Sequence, residues 1–204
     1  MIPSDVQMRL QAIQNDFFQR FSQSDNEANE ITLTETEKNT GSSPATKCCV
    51  TITGSNNAIV FHSLDRCKFN WLIQPKCADH IIMEHINCGW ILHIFELKNS
   101  VKKDTWFNIY EQFKGAYLRA EAIAGFLHIT FNKVKVYICY QLDKFSESSL
   151  AAIRASLNNE KKREILDYWE KNELHLDCFE GKNKVRCEKI KIQLDQNGNG
   201  CSNL

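Results

Sequence analysis

An apolar run, Trp90-Ile91-Leu92-His93-Ile94-Phe95, closes on Glu96-Leu97-Lys98. A run of this length after Gly89 reads as a strand covered on both faces, which places it inside a sheet rather than at its rim. Side chains alternate across a strand, so Glu96 and Lys98 leave by one face while Phe95 and Leu97 leave by the other. The segment Asp79-His80-Ile81-Ile82-Met83-Glu84 reads as the partner strand, and His85-Ile86-Asn87-Cys88-Gly89 as the turn, since Asn and Gly tolerate positive φ. A hairpin symmetric about Asn87 and Cys88 sets residue i opposite residue 175 minus i, so Asp79 faces Glu96. A slip of one residue would bring a different side chain there.

Two carboxylates at this distance repel unless a positive group stands between them, and a hard divalent cation such as Mg²⁺ suits an all-oxygen site. The expected metal ligands are Asp79 and Glu96, with Lys98 orienting a water or stabilising charge on phosphorus. This is phosphodiester hydrolysis chemistry. The plainer reading of the same residues is a salt-bridge cluster at a sheet end.

Lys76-Cys77-Ala78-Asp79-His80-Ile81-Ile82, then Phe95-Glu96-Leu97-Lys98-Asn99, then a helix bearing Gln112 together resemble the PD-(D/E)xK nuclease superfamily over roughly residues 47 to 140. Ala78 stands where the family name has proline, and no glutamate lies on the first helix; Asp16, Glu27 and Glu30 are the nearby acids. The resemblance implies an α/β fold with a restriction-endonuclease-like αβββαβ core and a mixed central sheet flanked by helices. It implies Mg²⁺ or Mn²⁺ on Asp79 and Glu96, catalysis by Lys98, and an accessory catalytic role for Gln112. The expected activity is a DNA endonuclease or related deoxyribonuclease, acting on DNA rather than RNA in restriction, repair or anti-phage defence. A catalytically silent protein on this scaffold, binding nucleic acid or a larger complex, is the alternative.

Among the 204 residues, acidic and basic side chains are equal in number, so no global charge attracts nucleic acid. Locally, residues 98 to 135 hold seven Lys and Arg against three acids, and Lys102, Lys103, Lys114 and Arg119 are candidate substrate-binding residues beside the motif. Nine cysteines, an odd number, argue against a disulfide framework and for the cytoplasm. No segment reads as a membrane span.

The chain divides into a nuclease-like core over 1–145 with a mobile loop at 23–46, a helical and hairpin appendage over 146–192, and a disordered tail over 193–204. Within the core, residues 3 to 22 read as a helix started by Pro3, Ser4 and Gln7, with Val6, Leu10, Ile13, Phe17 and Phe21 as its stripe. Cys49–Thr53 and Ala58–His62 read as a hairpin about residues 54 to 57, and Lys68–Ile73 as a short strand. A helix capped by Asp104 runs to about Ala124, buries Trp106, Ile109, Tyr110, Phe113, Tyr117, Ala120 and Ile123, and carries Thr105, Asn108, Gln112 and Arg119 on a polar edge. Phe126–Phe131 and Val134–Tyr140 read as two strands about Asn132-Lys133. Two short helices broken at Asn158-Asn159 and a lysine-rich hairpin about Gly181 follow, and this C-terminal region is a candidate surface for a homodimer or a partner protein. Cys77, His80, His85 and Cys88 offer thiolate and imidazole for zinc at a spacing that matches no standard module. Cys178, Cys187 and Cys201 are spaced too widely for an obvious iron–sulfur site.

Overall fold

The structure, a computed structural model, describes residues 1–13, 17–22, 30–37, 46–53, 57–62, 64, 76–87, 89–145, 150–179 and 184–204. In chain order the elements are α1 (Ser4–Leu10), β1 (Phe18–Ser22), β2 (Ile31–Glu37), β3 (Thr46–Thr53), β4 (Asn57–His62), β5 (His80–Ile86), β6 (Gly89–Val101), α2 (Lys103–Leu127), β7 (Phe131–Asp143), α3 (Leu150–Ala155), α4 (Glu160–Asp167), β8 (Glu173–Leu176), β9 (Val185–Gln193) and β10 (Asn199–Asn203). The fold is mixed α/β. A large mixed sheet runs β1-β4-β5-β6-β7-β9-β8, and a smaller one runs β10-β3-β2.

The run that contains Glu96 is the interior strand β6, antiparallel to β5 and parallel to β7. Its two faces feed two cores. Leu92 and Ile94 pack with Trp106, Ile109, Phe113 and Ala120 of α2, whereas Phe95 and Leu97 pack with Leu33, Val50 and Ile52 of the smaller sheet. Three layers result, helices on the large sheet and the large sheet on the small one, each interface closed by apolar side chains. The β5–β6 register pairs His80 with Phe95 and Ile86 with Gly89, as the Asn87 turn implies, and Asn87 has a φ of 47°.

Several expectations are corrected. The expected helix over 3–22 stops at Leu10, and Phe18–Ser22 is a strand paired with β4. Phe17, just before this strand, meets Phe61 edge-on at 5.9 Å. The start of α1 has no side-chain cap; Gln7 instead donates to the Ile2 carbonyl. The expected loop 23–46 contains β2, whose Ile31 and Leu33 are buried while Thr32 and Thr34 face outward. Its polar outer face disguises it as loop. β3 does not form a hairpin with β4; it joins β2 and β10 in the smaller sheet.

Downstream, α2 begins at Lys103 with Lys102 as N-cap and Asp104 in its first turn, where a carboxylate favours the positive end of the helix. It ends on His128 in the left-handed conformation, and a single strand, β7, replaces the two expected about Asn132. Asn132 is the extra residue of a bulge between the Trp90–Phe131 and Ile91–Lys133 pairs, and its side chain accepts the Trp90 N–H. α3 and α4 occur where the two short helices were expected, with Asn159 capping α4. The β8–β9 hairpin is no separate appendage: β9 lies parallel to β7 and continues the large sheet. The expected disordered tail is β10, parallel to β3. Its Asn and Gly residues are turn chemistry, with Asp195 Oδ1 accepting the Asn197 and Asn199 N–H groups at 2.8 Å. The expected strand 68–73 and the turn at Gly181 lie outside the described residues.

Gly198 makes that turn possible, with a φ of 80° and a backbone so close to Lys47 that a Cβ would overlap its carbonyl oxygen. Gly198→Ala is expected to cost roughly 1–3 kcal/mol. Amide exchange should accelerate at Asn199–Asn203 while β6 and β7 stay protected; unchanged protection of β10 would show that the glycine is not required.

Candidate active site

β6 carries Glu96 and Lys98 on the face covered by α2, two residues beyond Ile94. Asp79 stands one residue before β5, where the ladder ends at His80 and Phe95. Its Oδ2 accepts the Leu97 N–H at 2.8 Å, so a side-chain oxygen continues the ladder and fixes the carboxylate beside Glu96. From α2, Gln112 reaches the same place and donates to the Cys77 carbonyl at 3.3 Å. Asp79, Glu96, Lys98 and Gln112 thus converge from three elements.

Glu96 is completely buried. Lys98 Nζ forms an ion pair with Glu96 Oε1 at 2.5 Å, and the Gln112 amide stands on the same carboxylate. Burial pushes the Glu96 carboxyl up to about 8; the Asp79 charge adds to this, and Lys98 and the Gln112 amide act against it. A buried carboxylate next to a second carboxylate offers the hard oxygen donors that Mg²⁺ or Mn²⁺ prefers. Asp79 and Glu96 are therefore chemically suited to hold such an ion. Among the described residues no group of three or more His, Cys, Asp or Glu side chains is arranged as a metal cluster.

The four basic residues expected on the substrate separate. Lys102 is exposed and Lys103 half-buried where α2 begins, four and five residues beyond Lys98. Lys114 pairs with Glu111 and acts on Asp177 near the end of β8. Arg119 is buried and donates through Nη1 to the Lys76 carbonyl at 3.2 Å, so it faces protein backbone rather than a solvent groove. Neither soft-metal reading assembles. His80 approaches the Thr34 carbonyl and the His62 ring, His85 packs on Trp90 at the far end of β5, and Cys88 lies outside the described residues. Cys187 is in the helix-side core whereas Cys201 is exposed on β10. Of the substitute acids, Asp16 and Glu27 lie outside the described residues and Glu30 is exposed just before β2.

Two features had little sequence signal. On the opposite face of β6, His93 Nε2 meets Glu84 Oε2 at 3.1 Å and Nδ1 meets the Tyr137 hydroxyl at 3.0 Å, all three buried. The only hint was a histidine inside an apolar run. A cleft of about 720 Å³ lies toward the other end of the sheet, and its charges are already paired, Lys133 with Glu188 and Arg186 with Glu173. Lys133 pairs with Ile91, five residues before Glu96 on β6, so the cleft is remote from the carboxylates. Comparison of the chain with protein-family models, with curated proteins and with solved structures finds no match. No described helix is long and apolar enough to cross a membrane.

The raised Glu96 pKa has a thermodynamic consequence in the metal-free protein. The folded state holds the Glu96 proton up to about 8 and the unfolded chain only to about 4.5, so this contribution is full below the lower value and is lost as pH rises through the upper one. In chelator, urea unfolding should show wild type losing stability relative to Glu96→Gln between pH 5 and 8, by a few kcal/mol. Parallel pH profiles would mean that Glu96 is ionised in the fold.

Proposed function

We propose that this chain is a metal-dependent nuclease of the PD-(D/E)xK type that hydrolyses phosphodiester bonds in DNA. The observation that carries the reading is the convergence of Asp79, Glu96 and Lys98 at one end of an interior strand, with the Gln112 amide beside them. The antiparallel run β4-β5-β6, followed by α2 and a parallel β7, supports a restriction-endonuclease-like βββαβ core, with α1 packed on the same side as α2.

Asp79 and Glu96 would hold Mg²⁺ or Mn²⁺, and the bound cation would supply Lewis acidity toward a phosphoryl oxygen. Lys98 is nearer solvent than the carboxylate it pairs with, its side chain 20% exposed against none for Glu96. From there it can orient the attacking water and stabilise the charge that builds on the phosphate. Gln112 steadies the carboxylate end of the site through Cys77. Lys102 and Lys103, at the head of α2, are the basic residues best placed to draw a phosphate backbone toward Lys98. Restriction, repair or defence against foreign DNA is the context such chemistry fits, with the C-terminal hairpin as a surface for a second copy or a partner.

One observation favours a second reading. Glu96 has no exposed surface and Asp79 little, as expected of a scaffold that binds nucleic acid or protein without cutting. Cleavage of linear and circular DNA, with an RNA control, in Mg²⁺, in Mn²⁺ and in EDTA decides between the two. The nuclease reading expects metal-dependent products that fall roughly a hundredfold or more in Asp79→Ala and Lys98→Ala. DNA retained in a shift assay with no products under either metal would favour the scaffold.

A further inference from the structure

Asp79 is useful only where its carboxylate meets Glu96, yet the segment that delivers it, residues 76–78, belongs to no strand or helix. Three side chains of α2 reach that segment. Asn108 Oδ1 accepts from Lys76 Nζ at 2.7 Å, Gln112 Nε2 donates to the Cys77 carbonyl at 3.3 Å, and Arg119 Nη1 donates to the Lys76 carbonyl at 3.2 Å. At about 100° per residue, positions four and eleven beyond Asn108 return to within about 40° of it, so the three form one edge of the helix. Cys77 and Ala78 are buried in the helix-side core.

Arg119 is the informative member. It is 3% exposed, and burying a guanidinium is unfavourable unless its hydrogen bonds are needed where it sits. A basic residue that gripped a phosphate would leave its donors toward solvent; this one is buried with Nη1 on a backbone carbonyl three residues before Asp79. We infer that Arg119 is a positioning residue, which with Asn108 sets the Asp79 carboxylate against the Leu97 amide and beside Glu96, and that it does not contact substrate. The inference rests on the nuclease reading for its catalytic consequence, though not for its structural one. Without this clamp the segment relaxes, the Asp79 to Leu97 hydrogen bond opens, and the two carboxylates lose their spacing. Misplacement of a ligand by a fraction of an ångström weakens metal binding and slows chemistry without changing how DNA is held.

The test compares wild type with Arg119→Met and Arg119→Lys in three measurements: amide exchange at Leu97 against Ile138 by NMR, binding of Mn²⁺ alone by calorimetry, and kcat and KM on DNA. Arg119→Met is expected to speed Leu97 exchange about tenfold relative to Ile138, to weaken Mn²⁺ about tenfold, and to lower kcat with KM unchanged. Arg119→Lys should recover most of each. A rise in KM with Leu97 exchange and Mn²⁺ affinity unchanged would overturn the inference in favour of a phosphate contact. A uniform loss of protection, or none, would overturn it in favour of a general packing role. If Arg119→Met does not fold, Asn108→Ala, at an exposed position, reads the same clamp and must move Leu97 exchange and Mn²⁺ affinity in the same direction. Should wild type neither bind Mn²⁺ nor cut DNA, the nuclease reading fails by itself, and Leu97 exchange still decides whether Arg119 positions Asp79.

Discussion

β6 is buried on both faces, and the rest of the structure is organised around that fact. Its helix-facing side chains close one core and its other side chains close the second, so neither layer can be removed without exposing the strand. Over residues 92–97 the strand has no solvent on either side to receive a charge. Every polar group on it must therefore be matched by a neighbour or carried at a free-energy penalty.

The two faces meet that demand differently. On the small-sheet side, burial lowers the His93 pKa, and a neutral ring can donate from Nε2 to Glu84 while Nδ1 accepts from the Tyr137 hydroxyl. The network crosses β5, β6 and β7 as a rib, with both ring nitrogens satisfied, which marks it as structural. On the helix side, Asp79 and Glu96 lie together with Lys98 Nζ 2.5 Å from Glu96 Oε1 and the Gln112 amide beside them, so the charge is met by a cation rather than by a neutral network.

The same contrast explains what was legible beforehand. Strand pleat, a positive-φ Asn and an apolar run are local signals, and together they gave the β5–β6 register and the meeting of Asp79 with Glu96 to the residue. Gln112 was singled out by the resemblance, and helical periodicity set it on an edge away from the Trp106 and Phe113 stripe. Arg119 shares that edge and was read as a phosphate contact; it is buried with Nη1 on the Lys76 carbonyl, and periodicity assigns an edge without saying whether solvent or the 76–78 backbone lies against it. β2 and β10 were missed for a related reason. Each has polar residues on one face, and the apolar or backbone partner that makes it a strand lies far away in the chain.

The residues alone settled the pieces whose partners are close in sequence: the β5–β6 hairpin, the buried stripe of α2, the paired helices α3 and α4, and the β8–β9 hairpin. Tertiary structure decided the parallel pairings β6–β7, β7–β9 and β10–β3, together with the clamp that α2 places on residues 76 and 77. A hairpin is held in register by its own turn, so local chemistry specifies it. A parallel pair has no such turn, and a buried arginine has no local preference for one carbonyl over another. Both are chosen only when the layers close over the apolar strand and each remaining polar group must find a partner.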